Sequence, residues 1–443
     1  MTTQIFCAST LHGAATLAAA LDAGCFRPVR RRILLVSNTA AEPEVSPSLD
    51  ELPGFDALRD RFDEVRSWNA AIAPFHPSGW SPRPGDAPMW ERHLRRLWDL
   101  SDDDVELTVE SVGASQTTAV TGIFLGTPVH VYEDGLAGYG PAGSKLDPLL
   151  GTRVRRLLHL GLVPGVKPLL LTEFGVAAEV IPDGAYRAVL RKVGAASPAP
   201  RVPYRAPALL LGEHLAGLPG TGPEAEAELC LRMLRGAVER GHRSLVLVPH
   251  PMAPAEAPGQ LRAEAERLGA ELTVLEPWAP GAAPLAETLF EQVRPALVVG
   301  CFSAALFAAR QLYGLDVASA GPREVLERLT PFEHADRVPL VLAHTLLADL
   351  ETGLTRAPRD PDRLVTALGF VMQPRVQAGL RPAATGYLAD GITPAEQGLF
   401  PRRRLTTLGL PGGLPGRLAA LSRNPVLRRA AGRARRLGRT VRR

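Results

Sequence analysis

Residues 244–252, Ser-Leu-Val-Leu-Val-Pro-His-Pro-Met, decide how the fold of this 443-residue chain is interpreted. The apolar run 245–248 predicts a buried strand, and Pro249 and Pro251 end it abruptly on either side of His250. In an open α/β sheet, ligands bind at the edge formed by the carboxyl ends of the strands. The stretch therefore predicts that His250 is held at such an edge, whereas an isolated His-Pro is more often a simple turn.

Short strands and helices alternate on both sides of this stretch, which predicts parallel, doubly wound sheets. In the second half we expect strands over 208–211, 244–248, 271–275 and 296–299, and helices over 224–240, 261–268 and 284–293. The first half opens as strand 5–8, helix 14–23 and strand 32–37, and continues with strands 105–109 and 127–132. A helix over 149–162 and a strand over 169–171 are also expected.

The Pro-containing stretch 194–203 predicts a linker between two α/β domains. We expect an N-terminal domain over 1–195, a C-terminal domain over 205–385 and an Arg-rich tail over 386–443. From residue 401 onward the chain has thirteen arginines and no acidic residue. These arginines interleave with leucines, as in a basic interfacial helix that binds an anionic membrane surface, although a solvated tail fits the composition nearly as well.

Composition places the protein among soluble globular chains, with 46% hydrophobic and 22% charged residues. The four cysteines are scattered and form neither a disulfide framework nor a metal-binding CxxC spacing. The N-terminus lacks a basic signal region, and the sequence shows no uninterrupted apolar run of about eighteen residues. We therefore expect a cytoplasmic protein, peripheral on the inner face of the plasma membrane if the tail binds lipid.

Two adjacent carboxylates, Glu133 and Asp134, follow the predicted strand 127–132 and precede Gly135. Successive side chains of an extended segment point in different directions, so one carboxylate can face a cleft while the other fixes the loop. The alternative is an acidic surface turn, because Asp-Gly is an ordinary turn pair.

Ser303 lies just after the strand 296–299 and Gly300, at the first turn of a predicted helix. A hydroxyl group beside unsatisfied backbone N–H groups is suited to bind a phosphate. A plain N-cap serine is about equally consistent with this pattern.

In this order, the acidic pair with its glycine, the His-Pro and the serine after a strand-glycine step resemble the bacterial sialyltransferases, especially the polysialyltransferase family. The resemblance covers most of residues 1–380. It implies a GT-B type glycosyltransferase, with two facing doubly wound, Rossmann-like domains and CMP-sialic acid as donor.

The resemblance also implies a role for each matching residue. Glu133 would be the general base that deprotonates the acceptor hydroxyl group, with Asp134 and Gly135 shaping its loop. His250, followed by Pro251, and Ser303 would contact the donor phosphate. Glu287 would hold the cytidine ribose.

The reaction expected from these roles inverts the anomeric centre, and the chemistry is coherent in itself. Donors aimed at the phosphate stabilise the leaving group, and a carboxylate with a raised pKa activates the acceptor. Because the sequence has no Asp-x-Asp-like pair near the predicted nucleotide domain, we expect neither a metal nor another cofactor. The expected partners are a nucleotide-sugar donor and a glycan or glycolipid acceptor such as a capsule polysaccharide.

Two departures from the family pattern leave alternatives open. Met252 follows the His-Pro where a basic residue is common, and Ala304 stands where a second hydroxyl residue is expected. One alternative is another nucleotide-sugar transferase or epimerase of the same two-domain fold, with a uridine-based donor. The other is a catalytically inactive paralogue that binds glycan or nucleotide.

Overall fold

A computed structural model describes residues 1–143, 145–197, 202–250, 257–275 and 285–415. Its contacts divide the chain into two compact units, Met1–Thr355 and Arg356–Arg443. Two parallel sheets form the centre of the first unit.

The first sheet has seven strands in the order β3-β2-β1-β4-β5-β6-β7, all paired in parallel. Its strands are β1 (Thr2–Ala8), β2 (Arg31–Val36), β3 (Glu64–Ser67), β4 (Asp104–Glu110), β5 (Val129–Glu133), β6 (Val154–Leu160) and β7 (Ala177–Ile181). The strand order reverses between β1 and β4, and such a switch point opens a crevice at the carboxyl edge of a sheet.

The second sheet has six strands in the order β10-β9-β8-β11-β12-β13, again all parallel. They are β8 (Ala208–Leu211), β9 (Ser244–Val248), β10 (Glu271–Val274), β11 (Leu297–Gly300), β12 (Val317–Ser319) and β13 (Ala348–Asp349). Here the switch point lies between β8 and β11. The two doubly wound sheets confirm the predicted fold class.

Helices flank both sheets and also occur in the second unit. Those of the first unit are α1 (Leu11–Asp22), α2 (Asp56–Arg59), α3 (Trp68–Ile72), α4 (Ala87–Leu97), α5 (Ser115–Ile123), α6 (Pro148–Arg153), α7 (Asp183–Ala195), α8 (Pro223–Glu239), α9 (Ala257–Arg267), α10 (Thr288–Val293), α11 (Ala304–Tyr313), α12 (Pro322–Arg328) and α13 (Arg337–Leu346). Those of the second unit are α14 (Pro361–Met372), α15 (Arg381–Ala389) and α16 (Arg402–Leu408).

The central strands are buried on both faces, which explains their nearly continuous apolar sequences. In β1, Ile5 packs in one core with Leu107 of β4 and Val131 of β5, and all three are fully buried. This packing fixes the strands whose carboxyl ends carry the polar residues of the site.

The expected helix over 149–162 is wrong. Helix α6 ends at Arg153, and β6 begins at Val154, a β-branched residue that favours extended backbone. The Arg153 side chain anchors this end of the helix by donating hydrogen bonds to the carbonyl groups of Thr121 and Thr127. The expected strand over 169–171 is also wrong, because Leu171 adopts a left-handed conformation with φ of 65° before a short 3₁₀ helix.

The strands of the first sheet fall within residues 2–181 and those of the second within 208–349. Residues 198–201 of the expected linker lie outside the described part of the chain, as does the tail from residue 416. The expected domain bounds remain predictions. Within the described ranges, no helix combines the length and the apolar character needed to cross a membrane.

Candidate active site

Glu133 and Asp134 diverge where β5 ends, as the alternation of an extended segment requires. The side chain of Glu133 is 6% exposed and lies under Gly138, where an added Cβ would be 3.1 Å from its Cγ. A hydrogen bond joins Glu133 to Ser111, which follows β4. Asp134 turns instead toward His12 in the first turn of α1.

The environment of Glu133 opposes its ionisation. Burial, together with the negative charges of Asp134 and Glu110, raises the pKa of Glu133 to about 8, although the hydrogen bond with Ser111 acts in the other direction. A carboxylate with such a raised pKa is a strong base once it has lost its proton. Glu133 therefore has the property expected of a general base.

Asp134 and Glu287 lie on either side of His12. The Nδ1 atom of His12 is 3.2 Å from Oδ2 of Asp134, and its Nε2 atom is 3.5 Å from Oε1 of Glu287. Asp134 follows β5 of the first sheet, whereas Glu287 precedes α10 in the second half of the chain. The imidazole therefore links the two halves of the first unit.

This arrangement keeps His12 charged. Burial alone would lower the pKa of His12, but the hydrogen bonds and charges of the two carboxylates raise it well above its ordinary value. Burial likewise opposes the ionisation of Asp134 and Glu287, and the hydrogen bonds and charge of His12 outweigh it and lower both pKa values. Asp134 is consequently a much weaker base than Glu133.

Glu110, at the end of β4, is a further carboxylate at this edge. Its Oε2 atom accepts hydrogen bonds from the backbone N–H group and the hydroxyl group of Ser9, at 2.9 and 2.6 Å. Burial and the charge of Asp134 raise the pKa of Glu110 to about 7, against the effect of these hydrogen bonds. The edge thus holds carboxyl groups whose pKa values are moved apart, a pattern common in acid–base sites.

His250 follows β9, as the sequence predicts, at the carboxyl edge of the second sheet. Its ring stacks on that of His214, with 5.4 Å between centroids and 19° between planes. Burial and the neighbouring His214 lower the pKa of His250. Pro251 and Met252 lie outside the described residues.

Ser303 is the N-cap of α11, and its Oγ atom accepts a hydrogen bond of 3.2 Å from the backbone N–H group of Ala305. The backbone N–H groups of the three residues before α11 are not open to a phosphate. Those of Cys301, Phe302 and Ser303 all donate to Oε1 of Glu213, at 3.0, 2.9 and 3.0 Å. The expectation that unsatisfied N–H groups line this turn is therefore wrong, because a side chain from the end of β8 already binds them.

Glu213 is buried, with 7% of its surface exposed. Burial raises its pKa to about 7, although the three backbone hydrogen bonds favour its charged form. Its carboxyl group therefore shapes the turn before α11 and occupies the place where an anion would otherwise bind.

The loop that follows β5 packs against the start of α11. A Cβ placed on Gly135 would lie 3.9 Å from the Cβ of Ala304, the residue after Ser303. Further along the same loop, a Cβ on Gly140 would lie 3.3 Å from a methyl group of Val338 in α13. The acidic loop of the first sheet therefore packs on helices of the second.

Sequence reasoning missed His12, Glu110, Glu213 and His214, although each of them lies close to the carboxyl end of a predicted strand. Polar residues at the ends of the strands beside a switch point were the available signal. Among the described residues, no group of three or more His, Cys, Asp or Glu side chains is arranged to hold a metal ion.

Solved structures similar to this chain include an O-GlcNAc transferase from Thermobaculum terrenum, UGT71G1 from Medicago truncatula complexed with UDP-glucose, and an S. aureus MnaA–UDP structure. Their sequence identities are 14%, 10% and 12%, and their TM-scores are 0.38, 0.40 and 0.39. The matches cover 87%, 86% and 94% of this chain, and 64%, 93% and 99% of those chains, so less than two thirds of the Thermobaculum protein is spanned. Such distant likenesses assign no donor.

A search of curated proteins finds no match to the sequence. A family model described as alpha-2,8-polysialyltransferase matches residues 4–321. This range contains the acidic pair, His250 and Ser303 and most of both sheets. The chain therefore belongs to the alpha-2,8-polysialyltransferase family and is a glycosyltransferase.

Proposed function

We propose that this glycosyltransferase moves sialic acid from CMP-sialic acid to a hydroxyl group of a glycan acceptor, with inversion and without a metal. The observation that supports this most is the approach of Gly135 to Ala304. It brings the loop of Glu133 to the turn of Ser303, so the groups suited to activate an acceptor and to bind a phosphate lie on adjoining loops.

On the acceptor side, Glu133 acts as the general base. The acceptor oxygen attacks the anomeric carbon, the bond from that carbon to the phosphate oxygen breaks, and Glu133 takes the acceptor's proton. Base strength favours Glu133 over Asp134, because burial raises the pKa of Glu133 whereas the ion pair with His12 lowers that of Asp134. Asp134 and Gly135 position the loop.

On the donor side, His250 and Ser303 bind the phosphate of CMP. The hydroxyl group of Ser303 accepts from Ala305 and can still donate its own hydrogen to a phosphate oxygen. The phosphate stabilises the protonated form of His250, which offsets the burial that lowers its pKa. Because Glu213 binds the backbone N–H groups of the turn, side chains carry this contact.

Glu287 is proposed to contact the cytidine ribose with its second carboxylate oxygen, Oε2. Its Oε1 atom lies against His12, which would hold the carboxylate ionised and oriented. Residues 276–284, which precede Glu287 in the sequence, lie outside the described part of the chain.

Calorimetric titration of the full-length protein with CMP and with UDP tests the donor assignment. We expect CMP to bind and UDP to bind weakly or not at all, and His250→Ala to weaken CMP binding by about tenfold or more, since hydrogen bonds to charged groups contribute about 1.5–3 kcal/mol. Binding of UDP alone would indicate a uridine-based enzyme. Binding of neither nucleotide would favour a protein without donor chemistry.

A further inference from the structure

A cavity opens at the carboxyl edge of the first sheet, beyond the ends of β2 and β3. Its volume is about 300 Å³, and its walls include Asn38, Glu44, Asn69, Phe75 and His76. This volume lies at the small end of the range of ligand pockets and suits one or two sugar rings. The cavity contains none of the residues assigned above to the donor or to proton transfer.

Hydrogen bonds within the protein hold the walls of this cavity. Asn69 accepts from the backbone N–H group of Asn38 and donates to its carbonyl group, both at 2.9 Å. The His76 ring contacts the carbonyl group of Ala40 at 2.9 Å and the hydroxyl group of Ser78 at 2.7 Å. The cavity is thus preformed, which lowers the entropic cost of binding a flexible oligosaccharide.

Phe75 gives the cavity an exposed aromatic surface. Its side chain is 49% exposed, and its ring stacks on Trp80, with 5.6 Å between centroids and 15° between planes. Trp80 packs in turn against Trp90, so the ring of Phe75 is supported from behind. A rigid aromatic face beside polar groups is well suited to the apolar C–H face of a sugar ring.

The cavity lies on the same edge as Glu133. Three steps in the strand order separate β2 from β5, or about 14 Å at the usual spacing of strands. Ser115, at the start of α5, donates a hydrogen bond of 2.8 Å to the carbonyl group of Ser78, in the loop that also carries Phe75 and His76. Ser111 of the same β4–α5 connection forms a hydrogen bond with Glu133. This connection therefore supports both the cavity and the Glu133 side chain.

The charge of the cavity selects the kind of sugar. Within the described range 1–143, which supplies all of its walls, the lining residues include one carboxylate, Glu44, and no lysine or arginine. A carboxylate can accept hydrogen bonds from sugar hydroxyl or amide groups but repels an anionic sugar such as sialic acid.

We propose that this cavity, which we call the Phe75 subsite, binds a neutral sugar of the acceptor glycan, away from the hydroxyl group that is glycosylated. The proposal rests on the proposed function, because it takes the first sheet to be the acceptor side. It implies that the acceptor glycan carries a neutral sugar at some distance from the residue that receives sialic acid.

The test compares acceptors of two lengths and two charges on the full-length protein. The neutral acceptors are a single N-acetyllactosamine disaccharide and its longer oligomer, and the anionic acceptor is a sialic acid oligomer of matched length. Phe75→Ala and Phe75→Tyr are compared with Leu125→Ala, which removes another exposed apolar side chain, 53% exposed, remote in sequence from the subsite. The readouts are the KM and kcat for each acceptor and glycan binding by tryptophan fluorescence.

We expect Phe75→Ala to raise the KM of the long neutral acceptor about tenfold, the usual scale of one aromatic contact, with kcat and the KM of the disaccharide unchanged. Phe75→Tyr should restore the binding, and Leu125→Ala should behave as the wild type. An equal effect on short and long acceptors, no effect on the long acceptor, or tighter binding of the anionic oligomer would overturn the proposal. Fluorescence needs no donor, so it still decides the question if CMP-sialic acid proves to be the wrong donor.

Discussion

At the scale of single residues, neighbours decide which of two adjacent carboxylates can act as a base. Glu133 and Asp134 differ by one CH₂ group, yet burial and nearby negative charge raise the pKa of Glu133 to about 8, while His12 lowers that of Asp134. At neutral pH the first carries a proton in most molecules and the second does not. The sequence shows the pair, but only the fold shows this difference.

Replacing Glu133 with glutamine should lower turnover by about 10²–10⁴, the usual contribution of a general base, and leave CMP affinity nearly unchanged. In the wild type, kcat/KM should increase with pH as Glu133 loses its proton and level off above about pH 8. Steady-state kinetics over a range of pH, with CMP titrations of both proteins, measure these quantities.

Asp134→Asn is the matched comparison, since it removes from the same loop a carboxylate whose pKa is lowered by His12. Turnover of Glu133→Gln close to that of the wild type would exclude Glu133 as the base and direct attention to Asp134. A rate that falls with increasing pH between 6 and 8 would contradict the assigned proton transfer.

At the scale of secondary-structure elements, the turn before α11 depends on a side chain from another strand. Glu213 follows β8, and its carboxyl group binds the N–H groups of the three residues that precede α11. Removing this acceptor leaves buried donors without partners, and each such group costs about 1–3 kcal/mol.

Glu213→Ala should therefore destabilise the protein by at least about 1–3 kcal/mol, whereas Glu213→Gln, which keeps an acceptor oxygen, should cost less. Urea unfolding measures this destabilisation, and calorimetry measures the affinity of each variant for CMP. If the phosphate binds through His250 and Ser303, CMP affinity should not improve in Glu213→Ala. Much tighter CMP binding would show that Glu213 competes with the phosphate for these N–H groups.

The elements themselves were largely predictable, because apolar strands and amphipathic helices alternate with clear turn signals. The strand ends that carry Glu133, His250 and Ser303 follow directly from that pattern. The helix expected over 149–162 failed because its apolar sequence does not distinguish a helix from a buried strand, and β6 begins at Val154, directly after α6. The contact of Glu213 with Cys301 joins residues 88 positions apart, and no local pattern encodes such a contact.

At the scale of the whole first unit, His12 provides an ionic link between the halves that carry the two sheets. Removing it would leave the partly buried Asp134 and the buried Glu287 without their cation, and breaking a buried ion pair in this way costs about 3 kcal/mol or more. His12→Gln should therefore lower the free energy of unfolding by about 3 kcal/mol.

This loss should depend on pH in a defined direction. The pKa of His12 is raised, so its contribution is fully present below the ordinary value of 6.5 and is lost as pH rises through the higher folded value. The pKa values of Asp134 and Glu287 are lowered, so their contributions are lost as pH falls below the ordinary values of 3.8 and 4.5. The difference between wild type and His12→Gln should be largest between these limits.

Unfolding in urea across this pH range measures the difference. Arg323→Gln breaks an exposed ion pair with Glu327 and should cost less than about 1 kcal/mol at every pH, so it serves as the control. A cost for His12→Gln that is equally small, or that does not change with pH, would show that the link contributes little to the association of the two halves.

The Arg-rich tail remains a prediction, since residues 416–443 lie outside the described part of the chain. We expect the full-length protein to co-sediment with anionic vesicles at low salt and to be released at high salt, because each arginine near an anionic leaflet contributes about 1 kcal/mol before screening. A chain that ends after Pro415 should lose this binding and stay folded.

The truncation belongs there because earlier residues are part of the second unit. Glu396 is fully buried and accepts a hydrogen bond of 2.6 Å from Tyr387, and Leu405 of α16 is fully buried as well. Vesicle binding that survives removal of residues 416–443 would place the membrane-binding surface elsewhere.

The central claim is that the enzyme transfers sialic acid from CMP-sialic acid with inversion. NMR of the reaction of full-length protein with CMP-sialic acid and a neutral N-acetyllactosamine acceptor tests it most directly, because the spectrum reports both the released CMP and the anomeric configuration of the product. We predict a sialylated acceptor of inverted configuration, formed by the wild type and greatly reduced in Glu133→Gln. A product of retained configuration, or transfer from a UDP-sugar but not from CMP-sialic acid, would contradict this account.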